Sequence, residues 1–138
     1  MTTTMMQPEK EIVSSDYADH EMSYYALEIG SISELFTSSV LNETQSKAVY
    51  TLRVMHCNNL SSLSGIELFS NLTELNCSSN QITRIDNLFG LTKLTTLNLS
   101  GNAISSIPDL SSLSSLEVLI LSHNRISDIS GLSNVRIE

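Results

Sequence analysis

The sequence predicts an α/β solenoid in which short parallel strands line a concave face and 3₁₀ or extended segments form the convex face. Two observations support this prediction. Leucine recurs at one constant interval, as Leu72, Leu94 and Leu116 show. Within each unit the apolar residues first alternate with polar ones, as in a half-buried strand, and then fall every two or three positions. That second spacing suits a 3₁₀ or extended return path.

The repeated unit occurs three times in phase, as LTELNCSSNQITRIDNLFGL, LTTLNLSGNAISSIPDLSSL and LEVLILSHNRISDISGLSNV. Its pattern, L-x-x-L-x-[LC]-x-x-N-x-I-x-x-I-x-x-L, is the signature of the leucine-rich repeat in its 22-residue form. A single coil cannot cover its own flat faces, so such coils are stable only when they stack. The fold class is therefore a leucine-rich-repeat solenoid.

The chain divides into three parts. Residues 1–22 form an acidic leader, which we expect to be disordered. Residues 23–49 form an N-terminal cap or a degenerate repeat, because YYALEIGSISELF shows the strand-then-turn pattern in shortened form. Residues 50–138 hold the four repeats 50–71, 72–93, 94–115 and 116–137.

The last repeat is predicted to end without a polar cap. Its inward side chains would then lie beside a bare apolar face, which solenoids normally close. Two explanations stay open: the chain is part of a longer protein, or another chain completes the coil. The side chains concerned are Leu119, Leu121, Ile126, Ile129 and Leu132.

An asparagine marks the point in each unit where the chain leaves the strand. The turn there would bury backbone N–H and C=O groups that no sheet partner reaches, and an inward amide can bond them. We therefore predict a structural ladder of amides that also joins neighbouring coils. Its members are Asn58, Asn80, Asn102 and Asn124.

Arg53 is the irregular residue of the first full repeat, because the uniform period places it in the column of Leu75 and Leu97. Two interpretations stay open. Arg53 extends out to solvent from the edge of the stack, or a bulge re-aims the strand so that Leu52 or Val54 points inward.

The outward strand residues of successive repeats form rows on the concave face, and these rows are the predicted protein-binding surface. Apolar residues at both ends flank a neutral polar middle. The alternative is that these are ordinary strand residues on a face without a partner. The rows are Leu52, Glu74, Thr96 and Val118; Val54, Asn76, Asn98 and Ile120; and His56, Ser78, Ser100 and Ser122.

Charge argues against nucleic acid and anionic membranes as partners. The chain carries a formal net charge of −8, and residues 50–138 contain only five scattered Lys and Arg. Phosphate binding needs clustered cations. The longest apolar runs are only a few residues, whereas a membrane helix needs about 20. The first residues are acidic and do not resemble a secretory signal, which favours a cytoplasmic location.

No arrangement typical of catalysis or metal binding is visible, so we predict no enzyme, no cofactor and no small-molecule substrate. His56 and His123 lie on repeats about 14 Å apart, which is too far for a shared metal. Cys77 replaces a core leucine and Cys57 follows a strand, so both are read as reduced thiols. The glycosylation-like triplets NLT, NCS and NLS are discounted because two of them lie in strands.

The units LNLSGNAISSI and LSHNRISDISGL resemble the repeat subclass of the protein phosphatase 1 regulatory subunit and of axonemal and centrosomal leucine-rich-repeat proteins. More narrowly, SISEL, HCNNLSSLSGI and SSNQITRIDNLFGLTKLTTLNLS are similar to the N-terminal repeats of the centrosomal leucine-rich-repeat and coiled-coil protein family. The resemblance spans residues 31–132. It implies a non-catalytic protein-binding module of a cytoskeletal protein at the centriole, basal body or cilium.

Two other functions stay open. A regulatory subunit of protein phosphatase 1 would hold an enzyme with its concave face and would carry acidic and aromatic residues in the strand rows, where only Glu74 qualifies. An extracellular recognition module would carry a signal peptide and disulfide-bonded caps, and neither is visible.

Overall fold

The computed structural model describes residues 20–37 and 41–133. Within these residues five parallel strands form one sheet in chain order, β1 to β5. This confirms the predicted leucine-rich-repeat solenoid. The strands are β1 (Glu21–Tyr25), β2 (Thr51–Met55), β3 (Glu74–Asn76), β4 (Thr96–Asn98) and β5 (Val118–Ile120); the α-helices are α1 (Glu34–Thr37) and α2 (Glu43–Lys47); and 3₁₀ helices span Ile66–Leu68 and Ser130–Leu132.

Stacked apolar side chains that point inward from the strands pack the sheet against the return path. One inward residue of each strand lies in register with that of the next, and Leu52, Leu75 and Leu97 in the middle of this row are fully buried. Burying a leucine contributes about 1.5–3 kcal/mol, so each coil is stabilised mainly by its neighbours. The complete row is Met22, Leu52, Leu75, Leu97 and Leu119.

The return path is mostly extended, as predicted, and backbone hydrogen bonds also join its coils. The N–H of Ala103 donates to the carbonyl of Ile82 at 2.9 Å, and the N–H of Gln81 donates to that of Leu60 at 2.8 Å. Short α-helices occur only before β2 among the described residues. The return path thus supplies a second set of bonds between coils, on the side opposite to the sheet.

The segment before β2 is a coil of the solenoid in its own right. β1 pairs with β2 along its whole length, from Glu21 opposite Thr51 to Tyr25 opposite Met55. Since β1 begins at Glu21, the predicted boundary of the leader at residue 22 lies too late, because the quoted strand-then-turn pattern begins only at Tyr24. The rest of the predicted leader, residues 1–19, lies outside the described residues.

Helix α2 ties this first coil to the next one. Asn42 and Gln45 form a capping box, in which each side chain accepts from the backbone N–H of the other. Buried Ser46 donates from its hydroxyl to the carbonyl of Leu68 at 3.0 Å, in the 3₁₀ helix of the following coil. The capping box sets the start of the helix, and the hydrogen bond of Ser46 fixes where the helix packs.

The register of β2 differs from the uniform period. Leu52 lies opposite Leu75 and Arg53 opposite Asn76, so the offset between β2 and β3 is one position longer than the repeat. Leu52 and Val54 are therefore fully buried, and Arg53 lies on the outward face. Of the two interpretations of Arg53, the one that turns its apolar neighbours inward is correct.

The extra residue is absorbed in the turn at the end of β2. The N–H of Leu60 donates to the carbonyl of Cys57 at 3.2 Å, which closes a turn with Asn58 and Asn59 at its centre. From Leu60 onward the regular period holds, because Leu60 and Ile82 accept equivalent bonds from the next coil. The insertion thus shifts only the residues before it.

The two ends of the solenoid differ in exposure. In the first coil Tyr24 and Leu35 are fully buried, whereas in the last coil Leu119 and Leu121 are half-buried and Ile129 is 65% exposed. Within the described residues the inward side chains of the last coil are therefore less covered than those of the first, and the absence of a cap stays a prediction. None of the helices in residues 20–37 and 41–133 has the length and hydropathy needed to cross a membrane.

Candidate binding surface on the concave face

The outward face of the sheet, here called the concave face, carries two rows of side chains in register across all five strands. Row 1 begins on β1 with a carboxylate and ends on β5 with an aliphatic residue, and row 2 also ends on an aliphatic residue. Row 1 is Glu21, Thr51, Glu74, Thr96 and Val118, and row 2 is Ser23, Arg53, Asn76, Asn98 and Ile120.

Three of the residues predicted for this face lie elsewhere, and a fourth, Ser78, is too buried to meet a partner. Leu52 and Val54 belong to the core because of the shifted register of β2. Ser78 is buried just after β3. His56 is exposed but sits in the turn after β2 with a φ of 59°, the conformation that Ser79 adopts one coil later. The predicted apolar patch at the N-terminal side of the face is therefore wrong.

The other predicted residues take the expected side of the sheet. Glu74, Thr96 and Val118 lie in row 1, and Asn76, Asn98 and Ile120 lie in row 2. Half-buried Ser100 and exposed Ser122 directly follow β4 and β5.

Sequence reasoning missed the outward residues of the first two strands. They include Glu21, Ser23, Tyr25, Thr51 and Arg53. A usable signal existed, because in EMSYY and TLRVM the apolar side chains fall at alternate positions, which implies the polar ones face outward.

The polar middle of the face is organised by two asparagines in neighbouring strands. Oδ1 of Asn76 accepts from the N–H of Ser78 at 3.0 Å, and Oδ1 of Asn98 accepts from the N–H of Ser100 at 3.0 Å and its hydroxyl at 2.8 Å. Both amide oxygens are thus used within the strand ends. The two Nδ2 groups donate to no group in residues 20–37 and 41–133, so they are free to meet a ligand.

Charged side chains flank these asparagines. The guanidinium of Arg53 donates to the carboxylate of Glu21 at 2.9 Å, so this pair is neutral as a unit. Glu74 is exposed, and its Oε1 accepts from the hydroxyl of Thr51 at 3.3 Å. A shallow depression of about 140 Å³ lies among these groups and reaches Ile120 at its rim.

The C-terminal side of the face is apolar and exposed. Val118 is 42% exposed and Ile120 is 37% exposed. Both lie in β5, which has no neighbouring strand beyond it among the described residues. Neither side chain belongs to the buried core, so both aliphatic surfaces are open to a partner. These two side chains form an exposed apolar patch, here called the apolar step, beside the polar depression.

The inward amides that follow β3, β4 and β5 each join two coils. Nδ2 of Asn102 donates to the carbonyls of Leu99 in its own coil and Cys77 in the preceding coil, both at 3.0 Å. Its Oδ1 accepts from the N–H of Ile82 at 2.9 Å. Asn80 donates in the same way to Val54 and Cys77, and Asn124 to Leu99 and Leu121.

Asn58 is not part of this ladder, contrary to the prediction. Its side chain is exposed and makes no hydrogen bond to any described residue. Because β2 is offset by one extra position, Cys57 occupies the ladder position, and its Sγ lies 3.6 Å from the carbonyl oxygen of Met55. A weak thiol donor thus replaces the amide in this coil.

Both cysteines are buried as free thiols. Burial raises the pKa of the Cys77 thiol, with a smaller contribution from Cys57. Burial also raises the pKa of Cys57, although the nearby backbone groups of Leu27 and Ala26 act in the opposite direction. Since the thiolate is the reactive form, neither side chain is suited to nucleophilic chemistry.

We therefore expect both thiols of the native protein to resist modification by a disulfide reagent at pH 8, because they stay protonated and inaccessible. In urea both should react at the rate of free cysteine, and the absorbance of the released thiol measures the difference. Rapid modification of either cysteine under native conditions would contradict this description of the core.

Residues 20–37 and 41–133 contain no group of three or more His, Cys, Asp or Glu side chains that could hold a metal ion. His56 and His123 lie in the turns after β2 and β5, on coils separated by two others. The predicted absence of a metal and of a cofactor remains a prediction. The arrangement that the concave face does offer is an extended surface with polar and apolar parts.

Comparison with known proteins gives a family model and a solved structure. The family model, described as "Leucine Rich repeats (2 copies)", matches residues 70–112 and again 92–134. The structure is similar to that of an internalin (inlF) from Listeria monocytogenes str. 4b F2365, with a TM-score of 0.65 and 25% sequence identity over 82% of this chain. This chain spans only 31% of the internalin chain. A comparison with curated protein sequences gave no match.

Proposed function

We propose, from the leucine-rich-repeat fold of this chain, that it is a non-catalytic module that binds another protein with its concave face. Leucine-rich-repeat modules are generally protein-interaction domains. The observation that carries the proposal is the exposed aliphatic pair Val118 and Ile120 beside a polar depression. A rigid, strand-presented surface of this composition suits a protein segment better than a small polar molecule.

We further propose a cytoplasmic, cytoskeleton-associated location, at the centriole, basal body or cilium. The support for this location is the resemblance of SISEL and HCNNLSSLSGI to the centrosomal leucine-rich-repeat and coiled-coil family. The acidic, lysine- and arginine-poor composition is consistent with a protein partner and not with nucleic acid.

A regulatory subunit of protein phosphatase 1 is the second candidate. For that function we expect acidic and aromatic side chains on the concave face. The register of β1 places Glu21 and Tyr25 on this face together with Glu74, and Tyr25 is 49% exposed. Recovery of a phosphatase catalytic subunit with the chain would favour this candidate.

The proposal is tested by affinity purification with the wild-type chain and with the double variant Val118→Glu/Ile120→Glu. The two carboxylates should abolish the recovery of specific partners, because burying them against an apolar surface leaves charges unpaired. A matched control is Phe89→Glu/Ile129→Glu, since Phe89 is 76% exposed and Ile129 is 65% exposed outside the sheet. This control adds the same charge away from the concave face.

The expected result is loss of partners with the concave variant and retention with the control. If the concave variant recovers the same partners with unchanged affinity, the concave face is not the binding surface. The edges of the solenoid and the acidic leader would then be the surfaces to test.

A further inference from the structure

Two charged side chains of opposite sign, Arg53 and Glu74, line the depression, and only one of them has an ionic partner. Arg53 is paired with Glu21, whereas Glu74 contacts only the hydroxyl of Thr51 and no cationic side chain in residues 20–37 and 41–133. The carboxylate of Glu74 is therefore left without an ionic partner among these residues, while the guanidinium of Arg53 on the same wall is already engaged by Glu21. The whole chain has a formal net charge of −8, which adds to the attraction of a cation.

The asparagines supply the hydrogen-bond donors of the depression. Since the oxygens of Asn76 and Asn98 accept bonds from the strand ends, their Nδ2 groups remain as two unused donors among the residues that line the depression. Strands in a sheet are about 4.8 Å apart, a spacing at which two amides can donate to one backbone carbonyl. The depression thus offers donors for a peptide carbonyl and a carboxylate for a cation.

The distance to the apolar step limits the sequence of a ligand. Glu74 and Val118 lie two strands apart in row 1, which is roughly 10 Å at the usual strand spacing. An extended peptide advances about 3.3–3.6 Å per residue. The two peptide residues that contact Glu74 and Val118 are therefore about three positions apart in the peptide sequence. The length of a lysine or arginine side chain widens this to two to four positions.

We propose that the depression is a subsite for a lysine or arginine side chain of an extended partner segment. In this complex the cation pairs with Glu74, the amides of Asn76 and Asn98 hold a backbone carbonyl, and an aliphatic residue two to four positions away packs on Val118 and Ile120. This inference rests on the proposed function, because it names the chemistry of the partner that the concave face binds.

The test begins with selection of 12-residue random peptides, displayed on phage, against the immobilised full chain. Selected peptides should share a basic residue two to four positions from an aliphatic one. Their affinity for purified protein is then measured by fluorescence anisotropy. Glu74→Gln should weaken binding by up to about fivefold, because an ion pair at an exposed site contributes at most about 1 kcal/mol.

The matched control is Glu28→Gln, which removes the same charge from an exposed residue outside both rows. It should leave the affinity unchanged. Raising the ionic strength from about 50 to about 500 mM should weaken binding of the wild-type chain and affect Glu74→Gln less, since salt screens the ion pair.

Four outcomes would count against the proposal. Peptides that lose binding to Val118→Glu/Ile120→Glu but lack a basic residue, or that bind Glu74→Gln as tightly as wild type, overturn the subsite and leave the proposed function standing. Peptides that bind Val118→Glu/Ile120→Glu unchanged overturn both. Failure to select any peptide for this face also counts against both.

Discussion

Replacing Leu52 with alanine is expected to lower the free energy of unfolding by about 2–5 kcal/mol. Leu52 is fully buried and lies in register between Met22 and Leu75, so its removal opens a cavity between two coils. Urea denaturation followed by circular dichroism measures this loss. The prediction tests the register of β2 directly, because the uniform period places Leu52 on the exposed face.

The matched control is Val118→Ala. The uniform period places Val118 in the same row as Leu52, but Val118 is 42% exposed. Its truncation should change the free energy of unfolding by no more than about 0.5 kcal/mol. Equal effects of the two substitutions would show that β2 follows the uniform period and that Arg53 points inward.

Replacing Asn102 with alanine should cost about 1–3 kcal/mol of stability, because buried backbone groups lose their partners. The substitution leaves the N–H of Ile82 without its acceptor and removes one donor from the carbonyls of Cys77 and Leu99. The effect should appear as a lower denaturation midpoint with native-like circular dichroism below it.

Asn58→Ala provides the comparison for this prediction. Asn58 is exposed in the turn that holds the extra residue, so its truncation should leave the midpoint nearly unchanged. An unchanged midpoint for Asn102→Ala would mean that the ladder contributes nothing measurable. If Asn58→Ala lowers the denaturation midpoint as much as Asn102→Ala does, Asn58 belongs to the ladder of structural amides.

The period of the repeat made the fold predictable from the sequence. Leu97 and Leu99 alternate with polar residues, and Ile104 and Ile107 follow at the spacing of the return path. All four are buried as this pattern requires. Three repeats in phase fix the stacking order, because each coil can bury its faces only against the next. The strand order and the parallel pairing follow from that constraint.

The register of the first full repeat was not predictable from the period alone. One additional residue at Asn58 and Asn59 reverses which side chains of β2 face inward, since side chains alternate with a period of two. The apolar pair Leu52 and Val54 around Arg53 indicated the shift. A count that keeps the period uniform throughout assigns the wrong face to each of them.

The concave face could be predicted for β3 to β5 and not for β1 and β2. Three short strands in phase identify Glu74, Asn98 and Ile120 as outward residues. The connection between β1 and β2 is longer than one repeat and includes α1 and α2, so no period connects Glu21 with Thr51. The pairing of Arg53 with Glu21 depends on that long connection and is visible only in the structure.

The most direct test of the central claim, that the concave sheet is the binding surface, is the affinity of a purified partner for two single variants. Ile120→Glu places one carboxylate on the apolar step, and Ile129→Glu places one on the exposed part of the last coil. Isothermal titration calorimetry should show at least tenfold weaker binding for Ile120→Glu and wild-type affinity for Ile129→Glu, since a buried unpaired charge costs more than about 1.4 kcal/mol. Wild-type affinity of Ile120→Glu, with weaker binding of Ile129→Glu, would contradict the claim and move the interface to the end of the solenoid.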